Sequence, residues 1–402
     1  MKSYIIEKTG KLQGTVTASG SKNSSLPILA ATILNNGITK LYNVPNIQDT
    51  KIMLKILEVL GCKIKKNNGK IVIDSRNITK YEIPEELMSK MRSSVILAGA
   101  LIGRKNKAVF SCPGGCDIGA RPIDLHLKAF KELKIKIKEQ LGLIKCECEE
   151  IEPGIINLDF PSVGATENAI LASVISNGTT MIINAAMEPE IVDLQKFLNK
   201  MGAKVSGAGS NIIKIIGVKK LHDASYNIMP DRIEVGTLLC AAAVTGGNIT
   251  IKKVIPEHLS PVLQKLEECG CKLTTSKNEI NLQAPKRLKA VEIKTMPYPG
   301  FPTDMQSIFA SILSNAKGTS VVIENIFENR YKYTNELKKM GAKITIEGKA
   351  AIIKGKSKLH GANVLATDLR RRSSTSSCSI KLQRKNKNRK YRIYIKRLWK
   401  FR

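Results

Sequence analysis

Apolar residues recur at spacings of three and four in five stretches of this chain, and each stretch runs into a short segment rich in Ile, Val and Thr. The stretches are KNSSLPILAATILNNGITKLYNVP (22–45), MRSSVILAGALIGRKNKAVFSCPG (91–114), ATENAILASVISNGTTMIINAA (165–186), DRIEVGTLLCAAAVTGGNITIKKV (231–254) and TDMQSIFASILSNAKGTSVVIENI (303–326). The three-and-four spacing predicts helices, and the β-branched runs predict strands. A second helix follows several of them and ends alike: LKILEVLGCKI, LQKFLNKMGAKV, LQKLEECGCKL and LKKMGAKI. Glycine just past the last turn is the residue expected there, because it adopts the left-handed conformation without strain. The pattern therefore repeats with a period of about 70 residues, each repeat reading β-α-β-α-β-β. Five repeats are complete, and a sixth opens at ATDLR (366–370). The expected class is α/β.

Composition narrows this picture. A chain of 402 residues, 43% hydrophobic and 25% charged, is long enough for two domains with sizeable cores. No apolar run approaches the roughly 18 residues of a membrane span, and MKSYIIEKTGKLQG lacks a signal-peptide core, so a cytoplasmic protein is expected. Nine cysteines are an odd number, and Cys146/Cys148 and Cys269/Cys271 are C-x-C pairs rather than a spaced zinc set. Reduced thiols and no metal are expected. The net charge of +31 suggests nucleic acid, but residues 371–402 alone hold 13 Lys/Arg and no Asp/Glu. The rest carries 52 basic against 34 acidic residues, a surplus of +18 scattered over strand and helix faces. Scattered charge argues for a solvated surface biased toward small anionic substrates, and against nucleic acid.

Chemistry concentrates at the helix starts and in one loop. Lys22, Arg92, Arg232, Asp304 and Arg370 stand where the repeats open, differing in charge while the cores stay alike. Free N–H groups and the helix dipole attract anions at such positions. The loop PGGCDIGARPIDLH (113–126) sets Cys116 after two glycines and ahead of Arg121. A nearby cation favours the thiolate, and glycines let backbone N–H groups approach a ligand. Each of these has a plainer reading: a surface turn with a small cysteine, a helix cap at Asp304, an exposed lysine at Lys22, a structural His126.

Taken together, the motifs resemble the UDP-N-acetylglucosamine 1-carboxyvinyltransferase family of enolpyruvyl transferases. They include SGSKNSSLPILAA (19–31), MRSSV (91–95), PGGCDIGARPIDLH, FPSVGATENAI (160–170), EPEIVDLQ (188–195), PDRIEVGT (230–237), PGFPTDMQ (299–306), FENRY (327–331) and ATDLR. The resemblance implies an inside-out α/β barrel of six repeats in two domains. One would hold residues 22–229, the other 1–21 and 230–370. It implies transfer of the enolpyruvyl group of phosphoenolpyruvate to the 3-hydroxyl of UDP-N-acetylglucosamine, with no cofactor and no membrane partner. Lys22, Asn23 and Arg121 match positions that hold phosphoenolpyruvate. Cys116 matches the thiol that forms the covalent pyruvate adduct and is alkylated by fosfomycin. Asp304 matches a candidate base near the sugar hydroxyl, and Lys22 counts with both as catalytic. Arg92, Arg121, Pro122, Ile123, Asp124, Leu125, Ser162, Val163, Gly164, Asp304 and Ile326 match UDP-sugar contacts. Arg232, Arg330, Asp368 and Arg370 match cleft positions. Tyr298, in MPYPGF, stands where the family commonly has His. The shikimate-pathway enolpyruvyl transferases share the architecture, but the PGGC loop and the FENR segment argue against them.

After Arg370 the pattern breaks. RRSSTSSCSIKLQRKNKNRKYRIYIKRLWKFR has no sustained helical periodicity. It reads as a disordered or nucleic-acid-binding tail, as a surface anchor using Trp399 and Phe401, or as a shifted reading frame. Codons AGC ACT AGT TCT TGC AGC encode Ser374–Ser379, and one base later give Ala-Leu-Val-Leu-Ala. Codons allowed for Arg384–Arg392 likewise shift to Gly-Lys-Thr-Lys-Ile-Glu-Asn-Ile, which matches GTSVVIENI (318–326). Over Arg397–Trp399 the shift allows Gly-Tyr-Gly, near the family's D-R-G-Y motif, whose Arg contacts phosphoenolpyruvate. The expectation is an incomplete sixth repeat in the chain as written, which impairs it. The alternative is an inactive paralogue or a nucleic-acid-binding protein using the basic tail.

Overall fold

A computed structural model describes residues 2–5, 9–67, 69–111, 123–355, 359–366 and 392–395. The chain divides into two compact lobes, with crossings at Ala18/Ser19 and Met229/Pro230. The Lys22 lobe holds the described residues of 19–229; the Asp304 lobe holds those of 2–18 and 230–395. Each has its own apolar core.

In the Lys22 lobe three helices are buried on nearly every side: Lys22–Ala31, Leu97–Lys105 and Val163–Ser173. A helix that is apolar or small all round belongs inside, and these three form the middle of the lobe. Around them lie amphipathic helices. Gln48–Leu60, for example, buries Ile52, Met53, Ile56, Leu57 and Leu60 and ends at Gly61, whose φ of 116° is left-handed. Outside come the sheets. Strands such as Ile212–Ile216 alternate exposed and buried, so one face meets the core and the other water. The layering is thus helices within and sheets without, the reverse of a barrel that encloses its strands.

Every sheet follows one plan: a parallel pair at one side, then antiparallel neighbours. Ile155–Asn157 runs parallel to Thr179–Ile183, which pairs antiparallel with Ile212–Ile216, which in turn pairs with Lys204–Ser206. Ile38–Tyr42 takes its parallel partner, Ala224–Asn227, from the far end of the lobe, which closes the set of repeats. In the remaining sheet, Lys107–Ser111, Leu143–Glu147 and Lys136–Gln140 pair antiparallel, and a single parallel bridge, Glu82 to Val109, stands in for the first strand.

The Asp304 lobe repeats the plan. Arg232–Thr245 and Thr303–Leu313 are its described interior helices. Gln13–Thr17 lies parallel to Asn248–Lys252 in one sheet, and Glu292–Lys294 parallel to Thr319–Ile323 in the next. The third sheet contains part of the basic tail. Arg392–Ile395 pairs parallel with Val364–Ala366 on one side and antiparallel with Lys2–Ile5 on the other. Among the described residues no helix is long and apolar enough to cross a membrane.

Candidate functional site

In the Lys22 lobe the expected residues cluster at helix starts. Ser21 caps the helix Lys22–Ala31, its hydroxyl accepting from the Ser24 N–H at 3.2 Å. Lys22 is therefore the first helical residue, and its Nζ lies 3.4 Å from the Asp49 carboxylate with the side chain only 17% exposed. Asn23 follows it, half-buried. Pro27 lacks an N–H, so the Asn23 carbonyl loses its helical donor near the same mouth. A cation and free N–H groups at a dipole's positive end suit a compact anion.

Beneath Lys22 sits a carboxylate that the sequence pattern did not single out. Asp193, buried, accepts from the Ser24 hydroxyl, from the Tyr226 hydroxyl at 2.6 Å and from the Met229 N–H at 3.3 Å. Burial pushes its pKa up, while the donated hydrogen bonds pull it back. It ties the first turn of the Lys22 helix to Met229, the last residue of the lobe, and Ser21 N–H donates to the Met229 carbonyl at 2.7 Å.

The second cluster joins Arg92, Asp124 and the start of the helix Val163–Ser173. Arg92 heads the 3-10 turn Arg92–Ile96 rather than an α-helix. His126 is buried between these elements, and its pKa falls to about 4 through burial first and the nearby Arg92 charge second, against the opposing pull of Asp124. Neutral His126 accepts at Nδ1 from the Asn168 amide at 2.7 Å, a tautomer assigned from the hydrogen-bond network. Ser162 caps its helix through the Ala165 N–H, and a Cβ on Gly164 would come within 2.8 Å of the His126 ring. Glycine there lets the imidazole pack against the helix start. Ile123 and Leu125 flank Asp124 at the opening turn of Asp124–Glu132. His126 is thus a structural residue of this cluster.

Asn168 does something further. Its Oδ1 accepts from the Gly99 N–H at 2.7 Å, and its Nδ2 donates to the Val95 carbonyl at 3.1 Å. Those are the two groups that one α-helical hydrogen bond would have joined. The amide is spliced into the neighbouring interior helix, where the 3-10 turn passes into Leu97–Lys105.

In the Asp304 lobe, Asp304 is the second residue of Thr303–Leu313 and does not cap it; the N-cap position is Pro302, with no side-chain cap. Its carboxylate instead accepts from Arg330 Nη2 at 2.7 Å, and the guanidinium is almost wholly buried. Arg330 also lies 5.1 Å from the Phe327 ring centroid. Glu324, another carboxylate without a sequence signal, organises the surroundings. It accepts from Thr303 at 2.7 Å, Thr295 at 2.9 Å and the Ile326 N–H at 2.8 Å. So the Ile326 turn and the start of the Asp304 helix are held by one buried group. Arg232, first residue of its helix, sits over the Tyr298 ring at 5.6 Å.

Cys116, Arg121, Pro122, Asp368 and Arg370 lie outside the described residues. Among the described residues no group of three His, Cys, Asp or Glu side chains could hold a metal ion. The described thiols Cys62, Cys146, Cys269 and Cys271 are pushed up to about 12, by burial above all.

The sequence profile of the EPSP synthase (3-phosphoshikimate 1-carboxyvinyltransferase) family matches residues 6–378. A UDP-N-acetylglucosamine 1-carboxyvinyltransferase 2 of Caldanaerobacter subterraneus subsp. tengcongensis is 54% identical over 92% of this chain and 89% of its own length. The chain belongs to the UDP-N-acetylglucosamine 1-carboxyvinyltransferase family. A second relative from the same organism, UDP-N-acetylglucosamine 1-carboxyvinyltransferase 1, is 49% identical over 91% of this chain and 88% of its own length. In fold, the chain is similar to the enolpyruvyl transferase NikO from Streptomyces tendae, with a TM-score of 0.85 at 22% identity over 97% of this chain and 92% of that one. EPSP synthase from Acinetobacter baumannii gives a TM-score of 0.72 at 18% identity over 98% and 93%. The family's inside-out α/β architecture is the one seen in each lobe.

Proposed function

We propose that this protein transfers the enolpyruvyl group of phosphoenolpyruvate to the 3-hydroxyl of UDP-N-acetylglucosamine and releases phosphate, a step of peptidoglycan synthesis in the cytoplasm. The observation that carries this reading is the 54% identity to a named UDP-N-acetylglucosamine 1-carboxyvinyltransferase over nearly the whole chain. The geometry within each lobe supports it. Lys22 and Asn23 offer a cation, a side-chain amide and a helix dipole to an anion. With Arg121 they would hold phosphoenolpyruvate. Cys116 would donate a proton to C3; in the covalent adduct its sulfur is bonded to C2, and it must leave C2 as a thiolate before the sugar oxygen bonds there. Asp304, oriented by Arg330, would take the proton of the sugar hydroxyl as its oxygen attacks C2, giving a tetrahedral ketal; loss of a C3 proton and of phosphate then restores the C2=C3 double bond. Arg92, Asp124 and the Ser162–Gly164 turn would receive the UDP-sugar, with Ile326. Positioning and electrostatics supply most of the barrier lowering in such a step.

The tail bears on activity. Read as written, residues 371–402 replace the family pattern with a basic stretch, so this chain should turn over weakly. A recoded chain, with codons 374–399 read one base later, should recover. The assay is phosphate release from phosphoenolpyruvate and UDP-N-acetylglucosamine, with the enolpyruvyl product identified by mass. Release by neither chain would defeat the functional reading. Equal rates from both would defeat the claim about the tail. Labelling offers a check on Cys116. Fosfomycin should spare the buried described thiols, its label should be lost in Cys116→Asp, and labelling that persists in that variant would remove Cys116 from the mechanism.

A further inference from the structure

We propose that Glu324 is a positioning residue for the reaction: it sets the Asp304 carboxylate, and the Arg330 guanidinium that orients it, in register with the neighbouring sheet.

Glu324 is itself firmly placed. It directly follows the strand Thr319–Ile323, its N–H donates to the Lys349 carbonyl at 2.9 Å, and the residue is only 2% exposed. A side chain rooted on a strand end is a rigid point of reference. Its two oxygens serve different elements. Oε1 accepts from the Thr295 hydroxyl at 2.9 Å and from the Ile326 and Phe327 N–H groups at 2.8 and 3.1 Å. Oε2 accepts from the Thr303 hydroxyl at 2.7 Å. Backbone N–H groups can only donate, so Oε1 is committed to the turn while Oε2 serves the helix. The helix Thr303–Leu313 has use for that second bond. Pro302, at its N-cap, supplies no side-chain cap, and the Thr303 hydroxyl ties the first turn to Glu324 instead.

Both partners of the Asp304–Arg330 ion pair trace back to this one group. Asp304 is the residue after Thr303, which Oε2 holds. The Arg330 guanidinium lies 5.1 Å from the ring centroid of Phe327, whose N–H Oε1 holds. The two meet at 2.7 Å. Loosening Glu324 would therefore move the base and its orienting cation relative to each other, not merely soften the lobe. Misplacing a reacting group by about 1 Å can cost roughly 100-fold in rate.

The role rests on the transferase reading, in which Asp304 takes the sugar proton. Thr303→Val is the decisive variant, because it cuts the helix side and leaves the Oε1 bonds in place; Glu324→Ala strips four donors at once and risks unfolding. Steady-state phosphate release is measured for the full chain as written and for the recoded chain, each variant against its own parent. Thr303→Val should lower kcat about 10- to 100-fold and leave KM for both substrates within about threefold, and Thr303→Ser, which keeps the hydroxyl, should restore the rate. Ser320→Ala is the control. Ser320 is buried on the same strand and accepts from the Val291 N–H at 3.2 Å, so its loss should lower the thermal midpoint and leave kcat within about twofold. An unchanged kcat in Thr303→Val, a loss that Thr303→Ser does not restore, or an equal loss in Ser320→Ala overturns the proposal. Hydrogen–deuterium exchange decides without turnover. Thr303→Val should speed exchange at residues 305–308 and spare 325–328, whereas no change at 305–308, or general speeding across the lobe, overturns the proposal. Absence of release from both parents would defeat the transferase reading, and the exchange result would still stand for or against Glu324.

Discussion

The two lobes are built on one plan but finished to different degrees. In the Lys22 lobe three interior helices are described, and Asp193 ties the start of one of them to the Tyr226 hydroxyl and the Met229 N–H. In the Asp304 lobe two interior helices are described, and the buried Glu324 ties the start of one of them to Thr295 and the Ile326 N–H. The comparison teaches that each lobe anchors the start of an interior helix on one buried carboxylate, Asp193 in one and Glu324 in the other.

The largest expected effect follows directly. Each lobe has its own core, so the two should unfold as separable transitions. Recoding the tail should raise the transition of the Asp304 lobe and leave the other in place. Each large apolar side chain buried contributes ~1.5–3 kcal/mol, so a helix with three adds on the order of 5 kcal/mol before entropy is counted. Scanning calorimetry of both chains is the measurement. A single transition insensitive to recoding would break the comparison between lobes.

Asp193 sharpens it from the other side. Asp193→Ala would strip a buried acceptor from two hydroxyls and one backbone N–H, and should destabilise the Lys22 lobe by about 4 kcal/mol. Denaturant titration should show the loss in that lobe's transition alone. A loss under about 1 kcal/mol would mean that the three donors find water instead.

Much of the fold was legible because it is periodic. The interior helices begin within a residue or two of Lys22, Val163, Arg232 and Thr303, where polar residues give way to small apolar ones. The same periodicity hides the groups that finish each site. Asp193 and Ser24 are 169 residues apart, and Glu324 lies 29 residues from Thr295. A single carboxylate has no period, so nothing local marks it as a hub. Asn168 and Gln306 read along the chain as mere polar interruptions of apolar runs. Asp304 and Arg330 were each singled out, yet their pairing across 26 residues emerges only from packing. Residues 113–122 of the Cys116 loop, the richest motif in the sequence, lie outside the described residues.

The next effect is set by pH. The folded pKa of His126 lies near 4, against about 6.5 unfolded. Between those values the unfolded chain holds a proton that the folded one refuses, so stability falls as pH drops from about 6.5 toward 4 and is flat below. The full swing is about 3 kcal/mol at most. Glu167 works in the opposite sense. Burial first, then the neighbouring Glu190 and Glu188 charges, raises its pKa well above the usual carboxylate range, so its contribution improves as pH falls. Urea midpoints of the parent and of His126→Leu across pH 4–7 separate the two, since Glu167 is common to both. The parent should lose more stability on acidification, in the Lys22 lobe. Parallel curves would show that His126 is not held neutral.

The smallest effect tests whether surface charge contributes to the contrast between lobes. Lys128 pairs with Asp159 at 2.7 Å on the Lys22 lobe, but Asp159 is 74% exposed. Water and salt screen such a pair, and ordering two exposed side chains offsets the attraction. Lys128→Ala should therefore change the unfolding free energy by under about 1 kcal/mol, and by less still at high salt. The chain's large positive charge makes this a sharp test. If removing one lysine stabilised the lobe, and salt erased the gain, repulsion among the scattered lysines would be a measurable cost, and the weakness assigned to the Asp304 lobe would have to be shared with the charge of the tail. If the change is negligible, the difference between the lobes rests on buried groups rather than on surface charge.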